Sequence, residues 1–534
     1  MIALLSAPWL VSAIQTINNL VWSPALVVLC LVTALYFSVC TRFVQVRRLG
    51  EMCRLLFNTD KKQKTGISSF QAFAMALSGR VGTGNIVGVA TAIGFGGPGA
   101  IVWMWIIAFF GAGSAFVEAT LAQIYKENHH GQFRGGPAYY IEKGLHSPLF
   151  GSIFAIIAAV GCGFFMPPVQ CNGIAMSMSR TFDLAPWIVG IGVALLLALV
   201  IIGGVKRIAN VAQLIAPIMA IIYILLSLVV LAVHYQVVPT VFLEMLRGAV
   251  GASQVGSAIL GSTIAWGVKR GIYSNEAGQG TGPIVAAAAK VSHPVKQGLV
   301  QAFSVYIDTL LVCTATALMI LACRTYNIID HVTQLPGGAV DIAYLIQNPE
   351  APAGEPGVFY TSGAIASVMG AKPADIVISI ALFFFAFTTI MAYYYYAETN
   401  LVYLFSRIRH RTLLRRLAKM DQTERQAAVD AFEQADLKFG DDRGEKIAIW
   451  ILRLFTITAV FLGSTTGSGI AWTLGDIGVG AMAWMNIITI LLLSPKALRA
   501  LKEYEKSKKL GNEPHFSPHQ LNISNADFWE EQYS

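Results

Sequence analysis

Charge is what this sequence has least of. Only 13% of its 534 residues are Asp, Glu, Lys or Arg, where soluble domains carry about a quarter. Hydrophobic residues make up 55% of the chain, and the mean hydropathy is +0.60. A chain of this length and composition cannot be three or four soluble domains. The first 41 residues carry no charged side chain. Further uncharged runs cover 81–117, 144–179, 208–243 and 477–495, each reaching or approaching the roughly 20 residues that a helix needs to cross a bilayer. The fold class implied is all-α, a polytopic protein set in a lipid bilayer.

Other absences narrow the function. The seven cysteines fall singly, mostly in apolar runs, with no C-x-x-C among them, so no disulfide framework or zinc knuckle is signalled. They read as small packing residues. Neither H-E-x-x-H nor G-x-S-x-G occurs, and the histidines lie in loops or at span ends, which speaks against a membrane enzyme. The N-terminus lacks a basic n-region and an A-x-A site followed by a soluble domain, so no cleaved signal peptide is expected. A formal net charge of +8 would suggest nucleic acid in a soluble protein. Here the basic residues sit in loops, where the positive-inside rule accounts for them, and no nucleic-acid partner is expected.

Eleven spans are expected, at about 22–41, 67–94, 100–121, 149–172, 186–204, 208–233, 241–268, 298–323, 375–397, 447–464 and 475–493. With the N-terminus outside, the inner segments collect 32 of the 38 Lys and Arg, and the outer loops hold only Arg180, Arg247, Arg324 and Lys372. Lysine and arginine resist translocation, so the C-terminus is expected in the cytoplasm. The 406–446 loop mixes charges at helical spacing, and the tail after Pro495 is hydrophilic. Both read as solvated cytoplasmic segments, or as regulatory ones. Segment 324–374, with Pro336, Pro349, Pro352 and Pro356 among glycines, could cap an outward vestibule.

Two spans carry unusual glycine. Span two places Gly79, Gly82, Gly84 and Gly88 across what should be continuous helix, at about 1 kcal/mol per glycine. An unwound turn at mid-membrane must line a cavity or coordinate something, because lipid cannot satisfy freed backbone groups. Close helix packing of the G-x-x-x-G kind is the plainer alternative. Arg80 favours the break, since a guanidinium so deep in a span needs a partner or water. Span seven has Gly248, Gly251, Gly256 and Gly261. Two interrupted helices in corresponding positions point to the central site of a secondary transporter. A channel would instead show repeated pore helices and a filter. With span one set aside, two sets of five remain. The odd number makes the repeats inverted. The organisation expected is 1–41 as N-terminus and extra helix, 42–66 as a basic cytoplasmic loop, repeats at 67–233 and 241–493, and a tail from 494 to 534.

Three blocks are specific: GGPGAIVWMWIIAFFG at 96–111, with Trp103, Met104 and Trp105 at its core; SGRVGTGNIVGVATAIGFGG at 78–97; and GVKRGIYSNEAGQGTGPIVAAAA at 267–289. In that order they resemble the alanine or glycine:cation symporter family across spans two to eleven, with Val102 standing where that family has Phe. The resemblance implies a LeuT-type fold of five-plus-five inverted repeats with one extra N-terminal helix, in a bacterial-type inner membrane. It also implies import of a small neutral amino acid coupled to sodium, with no cofactor besides the transported sodium ion. Proton coupling, or a larger neutral amino acid such as glutamine, is the alternative.

Val81–Asn85 is also similar to the unwound first core helix of the more distant neurotransmitter:sodium symporters, and FFFAFTTIMAYYYY at 383–396 to that superfamily's eighth core helix. Thr388 and Thr389 match its pair of sodium-binding hydroxyls. On this resemblance the carbonyls of Ser78 and Val81 join those hydroxyls around sodium, which as a hard cation wants oxygen. Backbone N–H groups of Gly82, Thr83 and Gly84 would take the substrate carboxylate, and Gly256 belongs to the substrate side. Asp308, set in an uncharged stretch, is functional by default. It either ligates a second sodium with Asn85 or pairs with Arg80. Glu118 reads as a structural residue near the cytoplasmic end of span three, and Asn275 and Glu276 as an inner-gate turn outside the substrate pocket.

Overall fold

The computed structural model describes residues 8–57, 66–129, 131–252, 256–334, 340–352, 354, 356–417 and 443–533. Most of the 406–446 loop, and the Ser253–Val255 stretch, lie outside the described residues. Among those described, eight helices are long and apolar enough to cross a membrane.

The chain opens with helices α1 (Pro8–Val21) and α2 (Pro24–Cys40). The first core helix is broken into α3 (Ser69–Arg80) and α4 (Gly84–Gly96). After it come α5 (Gly99–Ile124), a small hairpin of β1 (Glu127–His129) and β2 (Gln132–Arg134), and the short α6 (Pro137–Leu145). The first set closes with α7 (Pro148–Phe182), α8 (Pro186–Ile201) and α9 (Gly204–Val233). A short α10 (Val238–Ala249) leads to the second broken helix, α11 (Gly256–Asn275) and α12 (Gly282–Ala288). Next are α13 (Pro294–Ala322), the antiparallel hairpin of β3 (Ile328–Gln334) and β4 (Val340–Ile346), and α14 (Val358–Met369). The chain ends with α15 (Ala371–Leu417), α16 (Arg443–Thr465), α17 (Ser468–Lys509) and a tail helix, α18 (Asp527–Tyr533).

The order broken helix and four further helices thus occurs twice. That is the five-plus-five arrangement, preceded by α1, α2 and two short helices over Val44–Arg47 and Leu49–Phe57, so the 42–66 stretch expected as a loop is helical over much of its first half.

Local chemistry sets the starts. Proline occupies the first turn of α2, α6, α7, α8, α12 and α13, where its missing N–H costs nothing and its fixed φ suits the helix. Ser68 caps α3 in a reciprocal capping box with Gln71. Leu214, Ile218, Ile221 and Leu225 of α9 are exposed, the apolar face that lipid requires. α13 and α15 are largely buried at the centre.

The second break is not where the glycine pattern of span seven places it. α11 runs unbroken through Gly261 to Asn275, and the helix opens at 276–281. There Glu276, Gly278 and Gly280 all have positive φ (57°, 82° and 93°), and Pro283 sits in the first turn of α12. The upstream glycines do other work. A Cβ on Gly248 would lie 3.0 Å from the Gly99 nitrogen, so Gly248 lets α10 touch the start of α5. Gly267 likewise meets Ala100 and Trp103, each 2.5 Å from its would-be Cβ. Close packing explains these glycines, and left-handed backbone with proline explains the break. Gly256 opens α11, the whole 20-residue helix away from it.

Candidate transport site

α3 ends because Val81 turns extended (ψ 93°), its N–H still bonded to the Leu77 carbonyl at 2.7 Å. The next two donors are already held. Gly82 N–H donates to Asn85 Oδ1 at 2.8 Å, and Thr83 N–H donates to Gln170 Oε1 at 3.0 Å. These N–H groups, expected from the sequence to be free, are instead bonded to two side-chain oxygens. Gly84 faces Ser274 and Tyr273 of α11, whose nearest atoms would each lie 3.4 Å from a Cβ there. The buried hydroxyl of Thr83 has no partner among the described residues, an unspent polar capacity of the kind a ligand takes up.

Behind the break lies a cluster of oxygens. The Thr389 hydroxyl of α15 is 2.8 Å from the Ser78 carbonyl oxygen, 3.3 Å from that of Val81 and 2.9 Å from that of Phe385. The Thr388 hydroxyl lies 3.0 Å from the same Phe385 oxygen. A hydroxyl has one proton to give, so most of these lone pairs face one another. Three carbonyls and two hydroxyls with no formal charge suit a hard monovalent cation. The Phe385 carbonyl was not singled out from the sequence, since a backbone oxygen leaves no mark on residue type.

Asp308 sits, fully buried, in a π-helical stretch of α13 (Tyr306–Cys313), a distortion frequent at functional sites. Its carboxylate accepts from Asn85 Nδ2 at 2.6 Å, Ser274 Oγ at 2.9 Å and Thr309 Oγ1 at 2.7 Å. It thereby joins both broken helices. Arg80 is engaged elsewhere: Nε donates to the Asn275 carbonyl at 2.6 Å and Nη1 to Gln301 and Ser304. Asp308 and Arg80 form no ion pair. The Asn275 carbonyl, the Gln301 amide oxygen and the Ser304 hydroxyl hold the guanidinium instead, while its Nη2 has no partner among the described residues.

The second break is built from the residues the sequence assigns to an inner turn. Asn275 ends α11, and Glu276 begins the unwound segment. Glu118, toward the end of α5 and fully buried, accepts from the Gly278 N–H at 3.2 Å and from Asn486 at 2.8 Å, and Asn486 also donates to the Gly278 carbonyl at 2.9 Å. Freed backbone is thus bonded by side chains of α5 and α17, as a non-helical stretch inside a membrane protein requires.

The chain matches the model of the sodium:alanine symporter family over residues 7–420 and 433–518. The chain belongs to that family. Curated relatives include the putative sodium/proton-dependent alanine carrier protein YrbD of Bacillus subtilis, 50% identical with 98% of each chain covered. The sodium/proton-dependent alanine carrier protein of Bacillus sp. PS3 is 42% identical, with 90% of this chain and 97% of that one covered. The probable sodium/glutamine symporter GlnT of B. subtilis is 36% identical, with 93% and 91% covered. Among solved structures, MhsT in complex with L-phenylalanine is similar at a TM-score of 0.46 and 13% identity, covering 81% of this chain and 99% of that one. Membership of a transporter family sets enzymatic activity aside.

This family member has a cavity of about 630 Å³ beside the break. Gln15 and Asn18 of α1, Thr91 of α4, Trp266 of α11 and Phe359 of α14 are among its lining residues. On its wall Arg270 holds Asp476 through two hydrogen bonds of 3.0 Å, and Lys269 reaches the same carboxylate at 2.6 Å. Trp472 packs on Tyr273 with ring centroids 5.1 Å apart, and both Arg270 and Trp472 approach Gly88. Gln170 and the Arg270–Asp476 pair were not singled out from sequence. A glutamine and an aspartate inside otherwise apolar spans were the available signals.

Proposed function

We propose that the protein imports small neutral amino acids, alanine or glycine foremost, together with sodium by alternating access. The observation that carries this is the oxygen cluster where α15 meets the broken end of α3. In this reading the carbonyls of Ser78, Val81 and Phe385 and the hydroxyls of Thr388 and Thr389 hold sodium. The substrate carboxylate takes the N–H groups of Gly82, Thr83 and Gly84, displacing Asn85 Oδ1 and Gln170 Oε1. Gly256, a helix away, plays no part in the pocket. The close approach of Tyr273 and Ser274 to Gly84 favours a small side chain, in keeping with the alanine named for the two most similar relatives above. Sodium bound at the end of α3 stabilises the turn whose N–H groups the carboxylate needs, which couples the two ligands reciprocally.

The topology that goes with this is eleven spans in the inner membrane, N-terminus outside and C-terminus cytoplasmic, with repeats over 67–233 and 241–493. The Arg270–Asp476 cavity is then the outward vestibule.

A second reading rests on Asp308. A buried carboxylate bonded to both broken helices could bind a second sodium with Asn85, or carry a proton in its place. Uptake of a labelled amino-acid panel into proteoliposomes, under a sodium gradient at fixed pH and under a proton gradient without sodium, separates these. Undiminished uptake with potassium in place of sodium would refute the sodium reading.

A further inference from the structure

The C-terminal tail is expected to be a solvated segment, yet it is folded into the protein. Phe516, Ile523, Ala526 and Trp529 are all buried and belong to the same hydrophobic core as Ala122, Tyr125 and Ala287–Ala289. The Trp529 indole N–H donates to the Gln123 carbonyl at 2.8 Å. Asp527 pairs with Lys143 of α6 at 2.7 Å, and Asn525 donates to the Lys143 carbonyl at 3.1 Å. Arg499 of α17 donates to the Leu521 carbonyl at 2.7 Å.

What the tail covers is the inner end of the second broken helix. Gln123, at the end of α5, donates to the carbonyls of Ala286 and Ala289. The Lys126 amine donates to Gln123 Oε1 at 2.8 Å and to the Ala289 carbonyl at 3.0 Å. It is fully buried, and three rings close over it: Phe133 of β2 at 4.7 Å, Phe528 at 4.4 Å and Trp529 at 5.1 Å. Two of those rings come from the tail. The start of the first broken helix is tied in as well, through Ile67 N–H to the Ala288 carbonyl and Lys290 N–H to the Ile67 carbonyl, both at 3.1 Å. α3, α12 and α5 thus meet at one knot, and the tail keeps water from it. A hydrogen bond shielded from water is stronger and has no competing partner, so the tail decides how firmly the knot holds.

We propose that the C-terminal tail is a latch on the cytoplasmic exit: its docking through Phe528 and Trp529 keeps α3 and α12 closed on α5, and the transport cycle requires it to lift. Lys126 and Trp529 are positioning residues in this scheme, touching neither substrate nor ion. The inference rests on the cytoplasmic placement of the tail and on the transport reading above. It also fits the state seen, in which the cavity lies on the Arg270–Asp476 side while the tail is docked.

Cross-linking tests it. In a Lys143→Cys, Asp527→Cys double variant in proteoliposomes, a short thiol-cleavable bis-maleimide joins tail to α6, the treated unsubstituted chain serving as control. Sodium-driven alanine uptake should fall at least about tenfold and return on reduction. Separately, Trp529→Ala should speed labelling of an Ala288→Cys site by an impermeant reagent on the cytoplasmic face by about tenfold. If Trp529→Ala does not accumulate, Phe528→Ala opens the same cage from its partly exposed side. Full uptake by the cross-linked protein, or labelling unchanged by loss of the ring, overturns the latch. Absence of sodium-driven uptake in the unsubstituted chain would instead sink the transport reading, while the labelling arm still reports on the tail.

Discussion

Thr389→Ala removes one oxygen from the cluster and little else. The hydroxyl stands 2.8 Å from the Ser78 carbonyl and 3.3 Å from that of Val81, so it is the side-chain atom that closes the gap between α15 and the broken helix. Thr388 lies further back, its hydroxyl 3.0 Å from the carbonyls of Phe384 and Phe385 in its own helix. A polar contact to a charged partner contributes about 1.5–3 kcal/mol, so sodium half-saturation should rise about 10- to 100-fold. Sodium at 100 times its dissociation constant stabilises the folded protein by about 2.7 kcal/mol. At the upper end of that range the same concentration would stabilise the variant by only about 0.4 kcal/mol. Initial rates of alanine uptake over a sodium series, and melting temperatures over the same series, give two independent readings. By linkage the alanine KM should also rise at fixed low sodium and recover when sodium saturates. Thr389→Ser, which keeps the hydroxyl, should stay close to wild type, and Thr388→Ala should fall between. Unchanged sodium half-saturation in Thr389→Ala would remove the hydroxyl from the ion site. Equal damage from serine would show that packing, not oxygen, was lost.

Gly82→Ala should abolish uptake while the protein still inserts, because its Cβ would lie 2.5 Å from Thr389 Oγ1 and 2.8 Å from Gln170 Oε1; substrate binding at wild-type affinity would relocate the pocket. Asp308→Asn should alter sodium dependence, and its thermal-stability cost should add to that of Arg80→Gln with a coupling below about 1 kcal/mol, since the two side chains are not paired. A coupling of several kcal/mol would restore the salt-bridge reading. Asp476→Asn leaves Lys269 and Arg270 without their carboxylate and should cost about 3 kcal/mol in thermal denaturation; a loss below 1 kcal/mol would mean that vestibule water already screens the pair. A cysteine placed within 418–442 should resist an impermeant reagent applied to intact cells, and its labelling would overturn the orientation.

Where sequence reading stopped is visible in single residues. The first break was legible because Gly82 and Gly84 follow Arg80 within one stretch, and a guanidinium so deep in a span favoured a break over close packing alone. The second was misplaced because glycine serves two ends. Gly248 and Gly267 allow helices to touch, whereas Gly278 and Gly280 adopt φ of 82° and 93°, and the letters are the same. Asp308 announced itself as a lone carboxylate among apolar residues. Whether it met Arg80 or Asn85 depended on which faces of α3, α4, α11 and α13 turn toward one another.

Composition, the uncharged runs and the distribution of lysine and arginine by themselves determined that this chain is helical and lives in a bilayer, because burying charge or backbone in lipid is too costly for any other arrangement. Three sequence blocks carried its family. Tertiary structure alone decided the rest: that Phe385 offers its carbonyl to the cluster, that Gln170 reaches Thr83, that Asp476 is shared by two cations, and that Trp529 lies in the core. The Phe385 carbonyl is local to Thr389, but Thr389 meets Ser78 across 311 positions, and the other contacts span 87 positions for Gln170 and Thr83, 206 for Asp476 and Arg270, and 406 for Trp529 and Gln123. Local periodicity holds no record of such distances, and only the packing of the helices brings them together.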